Sequence, residues 1–90
     1  MNKERRKTLN PLSSEIDDLR GKIEDLMSQI DTVRDEEQEG FDNLSEGLQQ
    51  SERGQAMETA AQRLQDAFDA LNNATSELDE AQNAINEAME

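Results

Sequence analysis

Ninety residues allow one domain and only a small core. Nine Lys and Arg stand against 22 Asp and Glu, a formal charge of −13, so phosphate-directed nucleic-acid binding is not expected. With no His, Cys, Trp or Tyr, imidazole- and thiolate-based catalysis and metal ligation are excluded, and so are disulfides.

Residues 1–10 read as a basic arm. Lys3, Arg5, Arg6 and Lys7 against Glu4 give this segment +3, which leaves −16 on residues 11–90. Asn10-Pro11 has the form of an N-cap followed by proline at the first helical position, where its missing N–H costs nothing. A helix is therefore expected from about residue 11 to 42. Leu9, Leu12, Ile16, Leu19, Ile23, Leu26, Ile30 and Val33 step by three and four, one stripe along a helix. From Ile16 onward heptad position a is Ile and d is Leu or Val, flanked by polar residues except at Met27.

After Val33 the repeat fails, because Glu37 and Gly40 fall where core residues belong. Asn43, Ser45, Gly47, Ser51 and Gly54 are cap and turn residues, so a hinge is expected over about 43–51, with one short helical turn near Glu46–Gln50. Ser51 reads as the N-cap of a second helix over about 52–89, and Glu52 sits at its positive end.

In that helix Leu64, Leu71, Leu78 and Ile85 occupy a, while Ala60, Ala67, Ala74, Ala81 and Ala88 occupy d. Ala61, Phe68 and Met89 add apolar surface at e. The face is broad and shallow, suited to more than one neighbour. The expected fold is all-α: an antiparallel hairpin over residues 11–90, coiled-coil-like, pairing with a second copy into a four-helix bundle. Ile16, Leu19, Ile23, Leu26, Ile30, Val33, Leu64, Ala67, Phe68, Leu71, Ala74, Leu78, Ala81 and Ile85 form the expected core and oligomer interface. Each Leu or Ile covered there is worth about 1.5–3 kcal/mol before entropy is subtracted.

No run is apolar or long enough for a signal-peptide core or a membrane span, so a cytoplasmic protein is expected. The densest carboxylates are Asp35, Glu36, Glu37, Glu39 and Asp42. They lack the ligand order of a calcium loop. Glu36-Glu37-Gln38-Glu39-Gly40 also misses the Glu-Glu-x-x-Glu of helical-bundle magnesium pyrophosphatases. No catalytic residue, cofactor or metal site is expected. These five acids are instead the candidate surface for a partner protein, one with a basic face. A DNA mimic, whose carboxylates fill a nucleic-acid-binding cleft, is the alternative, and an assembly role follows it.

Two segments also carry a resemblance. Met1-Asn2-Lys3-Glu4-Arg5-Arg6-Lys7 opens the chain, and Asp35-Glu36-Glu37-Gln38-Glu39-Gly40-Phe41-Asp42-Asn43-Leu44 leads into Leu48-Gln49-Gln50-Ser51-Glu52-Arg53-Gly54. This pattern resembles small acidic helical-hairpin proteins of phages and prophages. The chain departs from it at Ser45, where a proline is expected, and at Pro11, which interrupts a helix expected to run from the terminus. The resemblance implies an accessory role in the host-cell cytoplasm and no particular activity. Small secreted helical hairpins share the size and acidity, but their turn carries Trp-x-Gly, and this chain has no tryptophan.

Overall fold

A computed structural model describes all residues, 1–90. Three helices follow one another: α1 (Lys3–Asp42), α2 (Glu46–Gln49) and α3 (Glu52–Ala88). There is no strand. α1 and α3 lie antiparallel along a rod whose Cα extents are 68 × 15 × 14 Å. No helix is long and apolar enough to cross a membrane.

α1 starts eight residues earlier than Asn10-Pro11 suggests. The N-cap is Asn2, whose side-chain oxygen accepts the Arg5 N–H at 2.9 Å. Pro11 sits inside the helix. It removes one N–H, and the carbonyl it leaves without a helical partner belongs to Lys7, which is exposed to solvent. The early turns are tied down from across the hairpin. Arg6 Nε donates to the carbonyl of Met89, the C-cap of α3, at 2.8 Å. Residues 3–10 are thus part of the hairpin rather than a separate arm.

The hinge is built from capping side chains. Asn43 closes α1, its N–H donating to the Glu39 carbonyl at 3.0 Å, and the next N–H, that of Leu44, donates to the Phe41 carbonyl at 3.0 Å. Gln49 Nε2 also donates to the Phe41 carbonyl, at 3.1 Å. Ser45 caps α2 and Ser51 caps α3, the latter accepting the Gly54 N–H at 3.2 Å. Gly54 is required here. A Cβ at that position would lie 2.4 Å from the Leu48 and Gln49 carbonyl oxygens. At Gly40 the missing side chain makes room for Met57, whose terminal methyl would be 2.8 Å from a Cβ.

The seam between α1 and α3 does not follow the a and d columns of both helices. On α1 the inward residues are Leu9, Ile16, Ile23 and Ile30 at a, with Ser13, Arg20, Met27 and Arg34 at e. Met27 is the most buried of them, at 8% exposure. Leu12, Leu19, Leu26 and Val33, all at d, are 42%, 50%, 51% and 47% exposed. On α3 the deepest positions are again at e, Ala61 and Thr75, with Leu64, Leu71, Leu78 and Ile85 half-buried beside them. Of the alanines at d, Ala60, Ala67 and Ala74 are half-buried, and Ala81 and Ala88 are exposed. Leu19, Leu26, Val33 and Ala81 therefore lie outside the seam of the single hairpin.

Candidate interaction surfaces

Successive helical residues turn by about 100°, so e lies about 40° to one side of a and d about 60° to the other. Each flank of the seam consequently gives the hairpin one face, and the two faces have opposite chemistry.

The e flank is polar and locked. Arg20 reaches across to Asp79 and to Gln82 Oε1, the latter at 3.3 Å, and pairs with Asp17 on its own helix. Its hydrogen bond to Asp79, reinforced by the charges of Asp79, Asp17 and Glu24, raises the guanidinium above its ordinary pKa against the opposing effect of burial. Arg20 is a permanent cation in this cluster. One heptad pair further along, Arg34 hydrogen-bonds Gln65, pairs with Asp31 and Asp35, and lies 5.9 Å from the centroid of the Phe68 ring. Near the open end Gln82 Nε2 donates to the Ser13 carbonyl at 3.1 Å, and Ser13 Oγ donates to Asn86 Oδ1 at 3.2 Å. These partners at e and b fix the register. The same register sets Met27 opposite Thr75, whose hydroxyl is satisfied by the Asn72 carbonyl at 2.7 Å.

The d flanks of both helices must then lie together on the opposite face. There the large side chains of Leu12, Leu19, Leu26 and Val33 stand beside the small ones of Ala60, Ala67, Ala74 and Ala81. From Leu12 to Val33 the ridge runs about 32 Å at the helical rise per residue. Single exposed apolar residues are ordinary, whereas a continuous stripe of this length marks an interaction surface.

The five acids singled out above lie at the hinge end of α1. Asp35, Glu36, Glu39 and Asp42 are exposed, and Glu37, at position a, is half-buried where the Ile column ends. Asp35 is held by Arg34 at 3.0 Å and Asp42 accepts from Gln38 Nε2 at 3.0 Å. Glu36, Glu37 and Glu39 take part in none of the five ion-pair contacts. No three carboxylates converge closely enough to hold a metal ion. The surface has only shallow depressions, one of them lined by Arg34, Asp35, Gln38, Ala61, Gln62 and Gln65.

The residues that sequence periodicity passed over are those of the polar lock: Ser13, Arg20, Arg34, Gln65, Asp79 and Gln82. The available signal was Met27, the one apolar residue in a column otherwise read as solvent-facing. No protein-family model, curated protein or solved structure matches the chain.

Proposed function

We propose that this chain is a non-enzymatic protein-interaction module: a helical hairpin that pairs with a second copy into a four-helix bundle and offers the acidic surface at its hinge to a basic protein. The observation that carries the reading is the separation of chemistry between the two faces. One face is closed by hydrogen bonds and ion pairs within the chain. The other leaves four large apolar side chains about half exposed over three heptads, beside a row of alanines. Covering that face with an identical one satisfies both copies at once, as a two-fold interface requires. Glu36 and Glu39 stand exposed and unpaired beyond the end of the ridge, free to meet a cationic partner without disturbing the pairing face. The resemblance in the opening and hinge segments supports reading such a module as an accessory protein of phages or prophages, acting in the host cytoplasm.

The test has two parts. Light scattering after gel filtration is expected to give twice the chain mass at micromolar concentration. Capture from host lysate is then compared for the native chain and for Glu36→Gln, Glu37→Gln and Glu39→Gln combined. Helicity and dimer mass are expected to persist while capture falls, chiefly through slower, salt-sensitive association. Undiminished capture excludes these three acids as the contact. The second reading, a DNA mimic, is supported by the narrow rod carrying −13 along its length. It requires that excess duplex DNA displace the partner.

A further inference from the structure

Resting on the dimer reading, we infer that the occupant of the apolar face is a second copy laid head to tail, with its hinge against the open end of the first. Two two-fold arrangements bring this face onto itself. In one, both hinges lie at the same end, and α1 faces α3 of the partner. In the other the second hairpin is reversed, so that α1 faces α1 and α3 faces α3. Both give each core layer the same complement of two large and two small side chains, so packing volume does not choose between them.

Charge does. Residues 35–58, around the hinge, hold eight carboxylates against Arg53, a side-chain charge of −7. The open end, residues 1–10 with 81–90, sets Lys3, Arg5, Arg6 and Lys7 against Glu4, Glu87 and Glu90, a charge of +1. Placing hinges together sets −7 beside −7. Reversal sets each hinge beside the one cationic region of the molecule, and juxtaposition of like charge is the dominant penalty avoided. The position of the ridge agrees. It is centred between Leu19 and Leu26, close to the middle of α1, so a reversed copy overlaps it completely. With the two-fold axis at that centre, residues 3–7 of one copy come level along the rod with residues 38–42 of the other. Paired over the full 68 × 15 Å of the hairpin, each copy covers on the order of 1,000 Å², above the roughly 800 Å² per partner of a standard interface.

Single spin labels on the full chain separate the arrangements, because it has no native cysteine. Gly47→Cys lies at the hinge, where an added Cβ meets nothing within 4 Å, and Glu90→Cys lies at the open end. Helicity and mass are checked first by circular dichroism and light scattering. For each labelled homodimer the head-to-tail arrangement predicts an electron–electron distance approaching the 68 Å length of the rod. An equimolar mixture of the two variants adds a short distance, under about half that length. Short distances within each homodimer, and only long ones gained in the mixture, overturn the head-to-tail arrangement while leaving the dimer standing. A monomeric mass for the unlabelled chain overturns the dimer reading and the inference with it.

Discussion

The exposed ridge makes a quantitative demand on Leu19→Gln combined with Leu26→Gln. In the single hairpin these leucines are 50% and 51% exposed, so burial by a partner removes about half of each side chain from water. Full burial of leucine is worth about 1.5–3 kcal/mol, and half of it about 0.75–1.5 kcal/mol. Two residues in each of two copies then contribute about 3–6 kcal/mol per dimer. At about 1.4 kcal/mol per decade, the dimer dissociation constant should rise by roughly two to four orders of magnitude. The substitution leaves the hairpin itself little affected, since both positions lie outside the seam and glutamine is nearly as good a helix former as leucine. Sedimentation equilibrium across a concentration series measures the shift, and circular dichroism at high concentration verifies the helices. An unchanged dissociation constant refutes the assignment of this face, and so does a native chain that sediments as a monomer throughout.

The glycines and the buried methionine give independent checks by thermal melting. Gly21→Ala fills open space on an exposed helical turn and should stabilise by about 0.5–1 kcal/mol, because alanine loses less backbone freedom on folding. Gly54→Ala makes an otherwise similar change, but drives a methyl onto two backbone carbonyl oxygens. It should lower stability by about 1–3 kcal/mol, and a raised midpoint would contradict the tight turn from α2 into α3. Met27→Ala removes the largest buried side chain of the seam and should cost about 2–5 kcal/mol. A loss no greater than that of a surface substitution would place the seam on the d column instead.

Helices, hinge and antiparallel return were legible because they depend on local signals: the three–four spacing, Ser45 and Ser51 as caps, and glycines where backbones approach. The start of α1 was not, since Asn2 and Asn10 are equally good caps in isolation. Arg6 ties the early start down by donating to the carbonyl of Met89, the C-cap of α3, a contact 83 residues away in the chain. The seam was half legible. Periodicity places a, d and e within one broad stripe of each helix, but it does not say which edge turns toward the other helix. That choice falls to cross-helix partners such as Arg20 with Asp79 and Gln82, and these residues read as ordinary solvent-facing ones until the hairpin closes. The acidic surface was legible as a cluster. Its separation into a paired Asp35 and unpaired Glu36 and Glu39 depends on where Arg34 points.

The hairpin's own economy of burial links its stability to its function. Only Met27, Gly54, Ala61 and Thr75 are buried, no side chain is fully enclosed, and the Ile and Leu columns at a keep part of their surface in water. A single hairpin therefore withdraws little apolar surface against the conformational entropy of ordering two long helices. The polar lock does not close that gap, because partly exposed ion pairs and hydrogen bonds contribute modestly. What it does contribute is direction. Arg20 and Arg34 commit the e flank to the interior of one chain and leave the large d residues of α1 exposed. Swapping either arginine for an apolar residue would make the two flanks alike and blur which face assembles. On the proposed pairing the exposed d ridge is covered by a second copy, so assembly adds to the stability of the hairpin and the melting midpoint should rise with protein concentration as mass action requires. In the head-to-tail arrangement, pairing also sets two acidic hinges at opposite ends of one rod, each beside a basic opening of the other copy. That gives one assembly two equivalent sites for a cationic partner.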